Sequence, residues 1–296
     1  MSEARARLVI GANCQGQEMA EVLGRIPSFA ERFDVIHVGY HTLDRAEAGW
    51  DSYPDFRDAP AMLWEQVFDN AFVEERAALR DRMPEGTPVL RFPPQNITAL
   101  WPFEALDPRK GGTGDEDYPE GERYRLGDRI AMMLSVEAEA IALPDDALFD
   151  LYLERCAAEL PRLDRRLGFD IARAEARDRD SDIALAPFVA GRFREERLFH
   201  DYMHITAPLL REILRQMLEA SAGPLEIDAA QAHAEVCTLT EAYRGQHFAQ
   251  IPVNPLVARH FGLRWHDPAE RVLVNASALS FRDYIVDYIR WRPYFT

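Results

Sequence analysis

The amino-acid sequence predicts an α/β fold, with a parallel sheet and flanking helices in the N-terminal part and a mostly helical C-terminal part packed against it. Two observations carry this expectation. Through the first third of the chain, short apolar runs alternate with helix-spaced segments, and the connections are long enough for crossovers rather than hairpins. That spacing implies parallel pairing with right-handed connections. Further along, apolar residues recur at helical intervals instead.

The elements follow in order. Arg7 to Gly11, built on Leu8-Val9-Ile10, reads as the first strand, and helical spacing through Met19, Val22 and Leu23 marks Gln15 to Ile26 as a helix. Phe33 to Tyr40 is the second strand. The run PAMLWEQVFD, Pro60 to Asp69, fits a helix or a strand; its brevity and the turn residues after it favour a third strand ending near Glu65-Gln66. Val73 to Met83 is a polar-faced helix, and Thr87 to Pro93 a fourth strand stopped by Pro93-Pro94. From Trp101 to about Glu122 the chain is dense in Gly, Pro and charge and reads as loop. Beyond it, DDALFDLYLERCAAELPRLDRRL and APLLREILRQMLEA are helical, the second with Leu209, Leu210, Ile213, Leu214, Met217 and Leu218 on one face. Thr206 suits its N-cap, and Pro208 sits in the first turn, where a missing donor does no harm. SFRDYIVDYIRWRPYF closes the chain as an amphipathic helix. No repeat, heptad or linker interrupts this order, so the expectation is one composite domain over residues 1–296, with a sheet part to residue 125 and a mainly helical part from 126.

Composition narrows the function. The chain has 296 residues and a net charge of −16, from 34 basic against 50 acidic residues. That balance argues against non-specific binding of nucleic acid or anionic membrane, though a local cluster of cations could still hold a small anion. No apolar run approaches the roughly 20 residues of a membrane helix. Met1 to Arg7 lead straight into the first strand without a secretory pattern, so the expected location is cytoplasmic. Three cysteines, an odd number without export features, do not suggest a disulfide framework. Cys156 and Cys237 lie in helical patterns and read as small buried apolar residues.

Cys14 stands apart. In GANCQGQ it sits between Asn13 and Gln15, where a strand hands over to a helix. Open parallel sheets gather ligands at the carboxyl ends of their strands. A helix N-terminus there favours an anion, and such settings can lower a thiol pKa from about 8.5 into the range of roughly 3.5 to 7.5. The amides of the turn, with the carboxamides of Asn13 or Gln15, could receive an oxyanion. The segment is neither a phosphate loop nor a dinucleotide fingerprint, since it lacks both glycine patterns. On the residues alone, turn chemistry explains Asn13 and Gly16 equally well.

A cysteine nucleophile needs a base. Among eight histidines, His204, just before a capped helix, is the first candidate and His41, at the end of the second strand, the second. His37, inside that strand, reads as structural; His233, His247, His260 and His266 have no distinguishing context. His200 and His204 are four apart, but turn residues Ile205 to Pro208 break a helix there and Asp201 stands where a zinc motif has glutamate, so no metal is expected. Gln66 and Asn96 end or follow strands on the same rim and could orient a substrate. Arg109 and Lys110, in DPRKGG, could grip a phosphate or diphosphate.

Taken together, GANCQGQ, LWEQVFD, FPPQNITALWPF and LFHDYMHITAPLL resemble the WcbI-type polysaccharide biosynthesis family over about residues 7 to 218, with Ala12 interrupting the family's Gly-Asn-Cys. The resemblance implies coenzyme A binding, with acetyl-CoA as substrate, and O-acetyl transfer to a carbohydrate acceptor of capsular or other surface polysaccharide. It marks Asn13, Cys14 and Gln15 as the signature, Gln66 as a strand-end carboxamide and His204 as the late histidine. A thiol-dependent acyl esterase and a non-catalytic CoA- or glycan-binding module are the alternatives. Covalent transfer through Cys14 and direct attack assisted by His204 both stay open.

Overall fold

The computed structural model describes residues 5–43, 49–54, 56–58, 60–105, 127–243, 250–274 and 277–291. The chain forms two compact units, each assembled from separated stretches: 1–96, 171–193 and 203–246 in one, and 97–170, 194–202 and 247–296 in the other.

The first unit is built on four parallel strands: β1 (Ala6–Ala12), β2 (Phe33–Gly39), β3 (Pro60–Gln66) and β4 (Val89–Phe92). They lie in the order β2-β1-β3-β4, paired in register Ile10↔His37, Ile10↔Trp64 and Trp64↔Leu90. All four match the apolar runs of the sequence to within a residue or two. The sheet is an open α/β sheet with helices against it, as expected. Because side chains alternate along a strand, β1 serves both faces. Leu8, Ile10 and Ala12 turn toward the helix Cys14–Leu23, while Val9 joins Val38, Tyr40, Leu63, Leu79 and Met83 in a core cluster on the other side.

That helix starts one residue earlier than the spacing suggests and stops at Gly24; Pro27 then opens a separate turn of helix, Pro27–Ala30. The helix Ala207–Leu225 buries the apolar stripe read from the sequence, with Thr206 at its N-cap and Pro208 in its first turn. Its Ser221 Oγ accepts the Trp64 indole N–H at 3.0 Å, so the only polar atom of a fully buried Trp is satisfied.

In the second unit, β5 (Glu104–Ala105) pairs antiparallel with β6 (Gly127–Asp128), and β7 (Val272–Val274) with β8 (Ser277–Leu279). Its core is helical: Leu148, Tyr152 and Cys156 of the helix Asp145–Ala158 pack with Ile285, Tyr288 and Ile289 of the closing helix Phe281–Arg290. No described helix is long and apolar enough to cross a membrane.

Candidate active site

The chain leaves β1 for β2 on one side and later places β3 on the other, so the carboxyl ends of β1 and β3 flank the point where strand order reverses. Open α/β sheets bind ligands there. Residues 13 to 16 follow β1, and Gln66 ends β3.

Asn13 is the N-cap of the cysteine helix. Its backbone is extended, and its Oδ1 accepts the Gln15 N–H at 2.9 Å. Its carbonyl accepts the Gly16 N–H at 3.0 Å and lies 3.0 Å from His37 Nε2, while its own N–H donates to Gln66 Oε1 at 3.1 Å. Cys14 is therefore the first helical residue of a turn fastened on both sides. Its side chain is partly exposed, and it is in no disulfide.

Gln15 is the brace. Its Oε1 accepts from Gln66 Nε2 at 3.0 Å and from the Gln95 N–H at 3.1 Å. Its Nε2 donates to the Gln95 carbonyl at 2.6 Å and the Met203 carbonyl at 2.8 Å. All four hydrogen-bonding positions of one carboxamide are filled by protein atoms. Sequence reasoning offered Gln15 and Gln66 as orienting groups for a substrate or oxyanion; the structure directs these buried carboxamides at each other and at the backbone. Asn13 differs, since only its Oδ1 edge is used by the cap.

Gly16 allows this packing. A Cβ there would fall 2.4 Å from the Ala12 Cβ and 3.2 Å from the His37 ring, so the methyl of Ala12 is accommodated because its neighbour has none. Gly39 stands between two imidazoles: a Cβ would lie 3.2 Å from His37 Cε1 and 3.7 Å from His41 Cε1. Burial lowers the His37 pKa from 6.5 to about 4, against hydrogen bonds to the Ala12 and Asn13 carbonyls that raise it, while nearby His41 lowers it further. His41, exposed on the short helix Tyr40–Leu43, shares the rim. His204 is buried in the loop before the helix Ala207–Leu225, one residue past the carbonyl that Gln15 holds. The first unit thus gathers Asn13, Cys14, Gln15, His37, His41, Gln66 and His204 around the end of its sheet.

Asn96 belongs to the same unit, but its Oδ1 accepts from Arg177 at 3.0 Å. Arg177, only 10% exposed, also pairs with Asp69 and donates to the Pro94 carbonyl, fastening the chain that follows β3 to the chain that follows β4. Its guanidinium holds the Asp69 carboxyl below the usual range. Sequence reasoning missed Arg177, a charged residue in a helix with nothing local to distinguish it. It also missed Glu65, fully buried on the sheet face opposite Gln66 and paired with Arg76 and Arg80. Strand alternation could have pointed to it, since adjacent residues of one strand must serve opposite faces.

Elsewhere, Cys156 is sealed as expected, whereas Cys237 is not a simple apolar residue: it is half-buried, and its Sγ lies 3.6 Å from His233 Nε2, one helical turn away. His260 Nε2 lies 3.1 Å from Asp164 Oδ1. Arg109, Lys110 and His247 lie outside the described residues. Among the described residues no three His, Cys, Asp or Glu side chains converge as metal ligands.

With this geometry in hand, the comparison that decides the family is the match of residues 7–225 to the family described as polysaccharide biosynthesis enzyme WcbI. The chain belongs to the WcbI family. A solved structure described as WcbI, a novel polysaccharide biosynthesis enzyme, shares the fold at a TM-score of 0.66 and 18% identity, over 97% of this chain and 90% of that one. That structure is further described as the native protein without a disulfide bond between CoA and a cysteine. No curated protein sequence matches the chain. The signature that carries the WcbI resemblance, Asn13-Cys14-Gln15, is the segment that the fold places at the strand-order reversal.

Proposed function

We propose that this protein is a CoA-dependent O-acetyltransferase that moves the acetyl group of acetyl-CoA to a sugar hydroxyl during surface or capsular polysaccharide synthesis in the cytoplasm. The observation that carries the reading is Cys14 itself: a partly exposed thiol at the first position of a helix, at the strand-order reversal, in a turn braced by Gln15 and Gln66. The description of a structural relative names a disulfide bond between CoA and a cysteine, as one that its native structure is without. A cysteine that can meet the sulfur of CoA can also meet the carbonyl carried on that sulfur.

In this reading the Cys14 thiolate adds to the thioester carbonyl. The CoA thiolate leaves, taking the proton that His204 removed from Cys14, and the acetyl group rests on Cys14. The sugar hydroxyl then attacks as His204 takes its proton, and the Cys14 thiolate departs. Helix position favours the thiolate in both halves. Asn13 Nδ2, on the edge of the carboxamide that the cap leaves open, supplies a donor for the oxyanion. His41 is the second candidate for the base. Arg109 and Lys110 are the cations proposed for the CoA phosphates.

Two measurements test this. A thermal-shift series with CoA and acetyl-CoA should raise the melting temperature, because ligand at one hundred times its Kd adds about 2.7 kcal/mol to the native state. Incubation with acetyl-CoA should leave a mass of one acetyl group on Cys14. A stabilising ligand with no acetyl-enzyme, and near-normal turnover in Cys14→Ala, would eliminate the covalent route in favour of direct attack. Acyl-ester hydrolysis without any CoA effect would move the reading to an esterase, and no response to any CoA form together with no hydrolysis would move it to a binding module.

A further inference from the structure

We propose that His37 is the positioning residue of the cysteine turn: its Nε2–H, clamped on the Asn13 carbonyl, fixes and polarises the peptide whose N–H belongs to Cys14. This deepens the reading of Cys14 as the reactive group and rests on it.

The tautomer follows from the neighbours. His37 Nε2 lies 3.0 Å from the Asn13 carbonyl and 3.4 Å from the Ala12 carbonyl. Carbonyl oxygens only accept, so Nε2 carries the hydrogen. The ring has little freedom to leave this pose. It lies against Gly16 at its Cδ2 edge and Gly39 at its Cε1 edge, and a Cβ on either glycine would stand 3.2 Å from it. Two glycines on separate elements thus admit one imidazole. Burial keeps the ring uncharged at neutral pH, so it serves as a neutral donor.

The consequence reaches Cys14 through one peptide unit. In a trans peptide the C=O and N–H point in opposite directions, and the chain has no cis bond among its described residues. With the Asn13 carbonyl turned toward His37, the Cys14 N–H is directed away from that ring. The same carbonyl also accepts the Gly16 N–H at 3.0 Å. A carbonyl accepting two hydrogen bonds polarises its amide and strengthens the N–H at the other end. His37 therefore acts on the thiolate, or on an oxyanion beside it, without touching either.

The test reads the thiol directly and needs no acyl donor. Iodoacetamide modification of Cys14, followed by peptide-resolved mass spectrometry across pH, gives the apparent thiol pKa in wild type, His37→Gln and His37→Leu. Gln carries an amide nitrogen at nearly the position of Nε2, so His37→Gln should keep the wild-type midpoint. His37→Leu should move it upward, with alkylation near pH 7 slowed about tenfold. An unmoved midpoint in His37→Leu overturns the proposal, as does a His37→Gln midpoint displaced as far as that of His37→Leu. Should His37→Leu fail to fold, His37→Asn replaces it: its amide is one methylene short of the carbonyl and should behave like Leu, and a wild-type midpoint there overturns the proposal equally. CoA binding followed by thermal shift on wild type stands apart from these outcomes, so loss of the transferase reading and loss of the His37 role are distinguishable.

Discussion

Cys14 and Cys156 both lie in helices, and the helices treat them in opposite ways. Cys14 is the first residue of its helix, partly exposed, with its turn capped by Asn13. Cys156 lies in the last turn of the helix Asp145–Ala158, fully buried, accepting from Asn254 Nδ2 at 3.4 Å. Burial pushes its thiol pKa up to about 12. The dipole adds to the contrast, since a negative charge is favoured at the beginning of a helix and disfavoured at its end. Residue type alone does not set the reactivity of a thiol; the helix end and the access of solvent bear on it as well.

The largest effect to expect from this contrast is on turnover. Cys14→Ala should lower acetyl transfer by about a thousandfold or more, as loss of a nucleophile does elsewhere, while leaving the melting temperature nearly unchanged. Cys156→Ala should do the reverse, costing about 1–2 kcal/mol through a small cavity and the loss of one of the two acceptors of Asn254 Nδ2, the other being the Tyr152 hydroxyl, while keeping turnover. Equal activity in the two variants would erase the distinction.

The second effect concerns the brace. Gln15→Leu removes both donors and both acceptors of a buried carboxamide and strands Gln66 Nε2, the Gln95 N–H and the carbonyls of Gln95 and Met203. Unsatisfied buried groups cost roughly 1–3 kcal/mol each before relaxation, so a loss of about 4 kcal/mol in chemical denaturation is expected. If the loss stays below about 1 kcal/mol, the network is not what fixes the turn.

These residues also show what a sequence can disclose. The two central strands were legible because burial on both faces of a parallel sheet demands continuous apolar runs, and Leu8-Val9-Ile10 and Met62-Leu63-Trp64 are such runs. Cys14 was legible because strand end, helix start and two carboxamides coincide locally. The work of Gln15 was not, since its partners lie 51, 80 and 188 positions away and nothing local specifies them. His37 is a strand histidine, as its place in the second apolar run implies. Its further contact arises only when parallel pairing sets β2 beside β1 and brings the ring to a carbonyl 24 residues earlier. The His233–Cys237 pair is different: its i, i+4 spacing was present in the sequence, and a half-buried helix face joins the two side chains.

A third test sets the histidine of one unit against the carboxyls of the other. His37 has a folded pKa of about 4 against an ordinary 6.5. The unfolded chain therefore binds more protons in that window, and the first unit loses stability as pH falls from about 6.5 to about 4, by on the order of 3 kcal/mol. Asp128, buried in the second unit, is raised from 3.8 to about 6, and Glu104 from 4.5 to about 7, both chiefly by burial, with Asp201 adding to Glu104. There the folded state binds the extra protons, so acidification through the same range stabilises the second unit. Hydrogen exchange at pH 6.5 and pH 4.5 should show amides of β1 and β2 losing protection while those of the helix Arg129–Leu134 hold or gain it. A uniform change across both units would refute the assignment.

The smallest effect compares two helix caps. Asn13 Oδ1 accepts the Gln15 N–H, and Asp128 Oδ1 accepts the Ala131 N–H, each at 2.9 Å. Removing the first with Asn13→Ala should cost about 1 kcal/mol, and Asn13→Ser, which retains an acceptor, only a few tenths. The pair separates two duties of one side chain. Ser restores the cap but not the amide donor, so a variant as stable as wild type yet slow in transfer assigns Nδ2 to the oxyanion. Equal recovery of stability and rate would leave Asn13 a cap alone, and the oxyanion would then depend on the Cys14 peptide that His37 orients.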